Sequence, residues 1–109
     1  MGFCFSSPDK KEILADNREM IESNARVLSV CAELAEGELG KAVERVYDAV
    51  RYMIPSTAVG AAQADKKIGA LAGDLKIALS KGKDRALLQA EEIVKDIEAA
   101  IAERNSYTK

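Results

Sequence analysis

The chain has no histidine and no tryptophan, and only two phenylalanines, three tyrosines, two prolines and two cysteines among its 109 residues. The missing imidazole removes every Ser-His-Asp or Cys-His nucleophile system, and with it the Glu-x-x-His ligand sets of di-iron bundles. Two cysteines are too few for a disulfide scaffold. Cys4 sits in a short N-terminal stretch and Cys31 on an apolar helix face, so both read as free thiols. The longest stretch without a charged side chain lies between Arg51 and Asp65 and is broken by Pro55, too short for a bilayer span. Met1 to Ser7 has neither a basic start nor a sustained apolar core, so no secretory signal is expected and the cytoplasm is the default compartment. Charge of one sign is also missing: 16 basic against 18 acidic residues give a net charge of −2, which points to no partner class.

What is present is amphipathic helix. The composition, 48% hydrophobic and 31% charged, is that of a soluble globular or bundle protein rather than a disordered one. Residues 1–7 read as a flexible tail and 8–109 as one domain. Ser7-Pro8-Asp9 marks a helix start, with Ser7 as cap and Asp9 complementing the helix dipole. From Pro8 to about Glu36, apolar residues recur every seven positions in two rows: Ile13, Met20, Val27, Leu34 and Leu14, Ile21, Leu28, Ala35. Gly37 and Gly40 stop or turn this helix. Leu39, Val43, Val46, Val50 and Met53 give a second helix to Ile54, where Pro55 disfavours helical geometry. Ser56 or Thr57 caps a third, with Ala61, Ile68, Leu75 and Ala64, Leu71, Ala78 inward. Asp84 caps a fourth, carrying Leu87, Val94, Ile101 and Ala90, Ile97, and fraying near Asn105.

The expected architecture is an all-α, antiparallel up-down-up-down four-helix bundle. A three-helix bundle with Pro55 kinking a longer middle helix is the alternative.

Chemistry is sparse on these helices. Glu33, Glu36 and Glu38 at a helix end, and the adjacent Glu91 and Glu92, read as solvated charge rather than as converging carboxylates. No metal ligand set, cofactor motif or catalytic residue is identified. The third helix and its loop are basic through Lys66, Lys67, Lys76, Lys81, Lys83 and Arg85, while the fourth is acidic. Neighbouring helices of opposite sign complement each other, and no aromatic residue interleaves the lysines, which argues against nucleic acid.

Three features remain. Asn17, Asn24 and Cys31, seven apart, project onto the middle of the first helix's apolar stripe. An unpaired buried amide costs about 1–3 kcal/mol, so both asparagines are expected to find hydrogen bonds and to set helix register. A small polar pocket is the other reading. Ala58, Ala62, Gly69 and Gly73 form a ridge of small residues off the expected seam of the third helix. Each glycine costs about 1 kcal/mol there relative to alanine, which a close helix-helix contact, with another protein or a second copy, would offset. Gly2, Phe3, Cys4 and Phe5 fall in a formal acylation pattern, Met1-Gly2 with Ser6, and constitute a candidate membrane contact. The plainer reading is that the phenylalanines fold onto the bundle end.

Tyr52-Met53-Ile54-Pro55-Ser56-Thr57 joins two amphipathic helices and resembles the tyrosine-aliphatic-proline-threonine junction of the bacterial 5-bromo-4-chloroindolyl phosphate hydrolysis family, over about half the chain. The resemblance implies a bacterial source and a phosphatase-linked phenotype. It supplies no catalytic residue.

The functional expectation is therefore a non-enzymatic bundle acting by protein-protein contact through the third helix. A membrane-peripheral module using the tail and the basic loop is the alternative.

Overall fold

A computed structural model describes residues 9–107; all structural statements concern these residues. They form four helices: α1 (Lys10–Leu34), α2 (Gly37–Arg51), α3 (Val59–Lys81) and α4 (Asp84–Asn105). The chain is an all-α four-helix bundle, as its periodicity implies. Pro55 lies in an extended link between Tyr52 and Ala58, so the kinked three-helix alternative does not occur.

The caps differ from those expected. Asp9 is the N-cap of α1, its carboxylate accepting from the Glu12 N–H at 2.9 Å; Ser7 and Pro8 lie outside the described residues. Ser56 does not cap α3 itself. Its hydroxyl accepts from the N–H of Ala58 at 3.1 Å, one residue before the helix, and Ala58 takes the cap position. Asp84 is the first residue of α4 rather than its cap, which is Lys83. Gly37 turns the chain with a φ of 63°, and Gly82 closes α3 at the same angle. Gly40, by contrast, sits inside α2 and turns nothing. A Cβ there would stand 2.9 Å from the Ala35 carbonyl oxygen, so glycine is required for the close approach of the α1–α2 turn.

Helix directions follow from the short links and the cross-helix bonds. Asn17 meets Asp65 and Cys31 meets Ala72, so α1 and α3 run parallel. Asp65 meets Arg104 and Lys67 meets Glu103, so α3 and α4 run antiparallel. The neighbour order is less regular. α1 packs on α2 and α3, and α4 on α3 and α2, which leaves α2 and α3 diagonal although they are consecutive. The link must therefore cross the bundle, while both two-residue turns gather at the opposite end.

The apolar core has Leu28, Val43, Val50, Ile68, Leu75 and Ile97 fully buried. The rows expected from the sequence are rotated slightly. On α1 the buried stripe is Asn17, Ile21, Asn24, Leu28 and Cys31; Ile13, Met20 and Val27 are half-buried and Leu34 is exposed. On α3 the stripe adds Asp65, Ala72 and Leu79, with Leu71 half-buried. On α4 Leu87 is exposed and Arg104 is buried. At about 1.5 Å per residue, α1 is roughly 37 Å long and α2 about 22 Å, so α2 stops well short of the N-terminal part of α1.

Candidate functional site

Where α2 stops, the interior becomes polar. Asp65 from α3 is fully buried and Arg104 from α4 is 1% exposed; Asn17 and Asn24 from α1 are buried beside them. Arg104 Nε donates to both Asp65 oxygens, at 2.9 and 3.1 Å. Asn17 Nδ2 donates to Asp65 Oδ2 at 2.8 Å, and Asn17 Oδ1 accepts from Arg104 Nη2 at 3.0 Å, which closes a ring of three side chains. The link is tied to this ring at two points. Ser56 N–H donates to Asn17 Oδ1 at 3.0 Å, and Arg104 Nη2 donates to the Ile54 carbonyl at 2.9 Å. Asn24 Nδ2 donates to the Asp65 main-chain oxygen at 2.9 Å.

Every buried side-chain nitrogen and oxygen among the described residues has a partner. That matters because a buried ion pair recovers its desolvation cost only with good geometry and satisfied neighbours. Asp65 accepts from a guanidinium and an amide and is sealed from solvent, so its lone pairs already have protein donors. A groove of about 490 Å³ between α1 and α3 touches the cluster, with Asn24, Asp65 and Gly69 along it and Asp16, Glu19 and Lys66 at its sides. Because Asp65 and Asn24 are both buried, the groove presents the exposed Asp16, Glu19 and Lys66 rather than the cluster itself.

Cys31 continues the asparagine row. Its thiol lies 3.7 Å from the Ala72 carbonyl, and burial raises its pKa to about 11, the charge of Lys76 offsetting this only in part. Such a thiol stays protonated near neutrality and is a poor nucleophile. No group of three or more Cys, Asp or Glu residues among the described residues is placed to hold a metal ion.

The small-residue ridge is not an outward face at its centre. Gly69 is half-buried against α1: a Cβ there would stand 2.8 Å from Asn24 Oδ1, so the close approach that offsets its helical cost is made within the chain. Gly73 is half-buried with nothing within 4 Å of such a Cβ; Ala58 and Ala62 are also half-buried. The residues Gly2, Phe3, Cys4 and Phe5 lie outside the described residues.

The basic α3 and acidic α4 do pack on each other, joined by the exposed Lys67–Glu103 pair at 3.5 Å. Such a pair contributes about 0–1 kcal/mol. Near the start of the link, the Arg51 guanidinium lies over the Tyr52 ring at 4.6 Å and the Tyr47 ring at 5.4 Å.

Asp65 and Arg104 were not anticipated from the sequence, although the signal was there. Asp65 is four residues after Ala61 and three before Ile68; Arg104 is seven after Ile97 and three after Ile101. Both occupy seam positions of their helices, with opposite charges at the same end of an antiparallel pair.

None of the described helices is long and apolar enough to cross a membrane. No protein-family model matches the chain, and no curated protein or solved structure matches it either.

Proposed function

We propose that this chain is a non-catalytic helical-bundle protein that works through protein-protein contact. The observation that supports this is where its chemistry goes. The buried ionised and amide side chains are consumed by one another, whereas large apolar side chains stand in solvent. Tyr52, Ile54 and Val59 are 70–76% exposed on or beside the link, and Leu88 is 64% exposed on α4. Ile54 and Val59 gain about 1.5–3 kcal/mol each if a partner covers them fully. The link is held by main-chain hydrogen bonds and by Met53 against the core, which leaves Tyr52 and Ile54 to face that partner. This shifts the expected contact from the Gly69 region, which α1 occupies, to the link end.

A photo-crosslinking residue at Ile54 tests the reading. A discrete crosslinked species is expected that disappears with Tyr52→Asp and Val59→Asp while helical circular dichroism is unchanged. Persistence of the species with both substitutions, or its absence, overturns the link-end contact. Co-sedimentation of the full chain with anionic vesicles would replace this reading with the membrane-peripheral one.

A further inference from the structure

The polar cluster divides the molecule in an informative way. The bundle consists of two helical hairpins, α1–α2 and α3–α4, joined only by the Tyr52–Ala58 link. The seam between them is directional. Asn17 to Asp65, Asn24 to the Asp65 main chain, Cys31 to the Ala72 main chain and Arg104 to Asn17 are all bonds between one hairpin and the other. Opposite Asn24 and Cys31 the second hairpin presents small residues, Gly69 and Ala72. An interface specified by such bonds re-forms identically whether the second hairpin comes from the same chain or from another.

We propose that the seam is an exchangeable interface and the link its hinge: in a swapped dimer, a second copy supplies Asp65 and Arg104 to the Asn17 and Asn24 of the first. The closed and exchanged forms share the seam bonds and differ in the path of the link. Two bonds follow that path, Ser56 N–H to Asn17 Oδ1 and Arg104 Nη2 to the Ile54 carbonyl. These are the lock. Tyr52 and Ile54 are both largely exposed and only Met53 packs on the apolar core, so these two hydrogen bonds are what tie the middle of the link across the diagonal. Its length permits either path. Seven residues make eight Cα–Cα steps and reach about 26–29 Å when extended, whereas diagonal helices stand about 13 Å apart if neighbours are about 9 Å apart.

The test uses two full chains with altered links, a control and one reporter. Ser56→Pro removes the N–H donated to Asn17 together with the hydroxyl that accepts from Ala58, and Ser56→Ala, which removes only the hydroxyl, is its control; neither alters a seam side chain. A link cut to two residues spans at most about 11 Å and cannot cross the diagonal. In an equimolar mixture of 15N-labelled and 13C-labelled chains, isotope-filtered NOEs between the Asn24 side-chain amide and Gly69 report which chain each hairpin packs against without altering the seam. Light scattering after size-exclusion chromatography is expected to give a helical dimer for the two-residue link, with the Asn24–Gly69 NOE arising between two chains. Ser56→Pro is expected to raise the dimer association constant at least about tenfold over the parent after heating and cooling at high concentration. A helical monomer with only intrachain Asn24–Gly69 contacts, or loss of helix, for the short link overturns the exchangeable seam. An increase below about tenfold for Ser56→Pro, or an equal increase for Ser56→Ala, overturns the lock.

Discussion

The two ends of this bundle solve the same problem with different materials. At the turn end, two-residue connections with Gly37 and Gly82 at positive φ close both hairpins, and the core leading to it is apolar, with Leu28, Val43 and Leu75 at zero exposure. At the link end α2 has already stopped, and Asp65, Arg104 and Asn17 fill the interior together with the backbone of the link. Apolar burial is non-directional: it rewards removing side chains from water and is nearly indifferent to which neighbour does so. A carboxylate held by one guanidinium and one amide accepts only helices that present those groups at that level. The difference teaches that one end mainly supplies stability and the other specifies which helices are neighbours.

Breaking the polar end by halves should give the largest effect. Asp65→Ala leaves the Arg104 guanidinium buried without its counter-charge, and a cost of about 3–5 kcal/mol is expected in urea unfolding. Leu75→Ala at the apolar core should cost a comparable amount, about 2–5 kcal/mol. The contrast appears in the double replacement Asp65→Leu with Arg104→Met. It should recover most of the stability lost in Asp65→Ala, while broadening or doubling amide resonances of the link as uniqueness is lost. A well-resolved single set of resonances would remove the specifying role from the ion pair.

Cys31 sharpens the comparison, because it is the one member of the asparagine row placed among apolar neighbours. Its folded pKa of about 11 lies above the ordinary value of 9.0, so between those pH values the unfolded chain loses this proton while the folded chain keeps it. Stability from this group is therefore complete below about pH 9 and declines as the pH rises to about 11. Two units correspond to about 2.7 kcal/mol at most. Cys31→Ala should flatten the alkaline fall in unfolding free energy relative to the parent, measured by denaturant titration at pH 8 and pH 11. An unchanged slope would show that the thiol does not ionise differently on unfolding.

The smallest effect separates the two glycines of α3. Gly73→Ala meets open space and should stabilise by up to about 1 kcal/mol, whereas Gly69→Ala must displace Asn24 Oδ1 and should fall about 1 kcal/mol below it. Equal thermal shifts for the two would mean that α1 does not depend on the missing side chain.

Much of this was legible before any coordinates. Seven-residue spacing of Ile21 and Leu28, Val43 and Val50, Ile68 and Leu75, and Val94 and Ile101, punctuated by Gly37, Pro55 and Gly82, is enough to imply four helices with one apolar flank each. The asparagines announced themselves as polar residues in an apolar stripe, and both are buried and bonded. Their partners did not, because Asp65 and Arg104 stand beside Lys66, Lys67 and Glu103, and a charged residue among charged residues looks like surface. Only its position relative to the seam betrays it. The caps went astray for a local reason: several residues at each helix start can offer an oxygen, and a shift of one or two positions costs little.

Local pattern thus determined on its own the helices, their inward faces to within a small rotation, and their alternating directions, since periodicity and turn residues act over a few positions of chain. The tertiary structure alone decided that α2 and α3 stand diagonally, that α1 closes over Gly69, and that an ion pair lies where an apolar layer was expected. Those outcomes depend on residues 39 to 87 positions apart meeting in one place. A spacing rule carries no information about such a meeting, because it follows from the mismatch in length between α1 and α2 and from charges that can be buried only when all their partners arrive together.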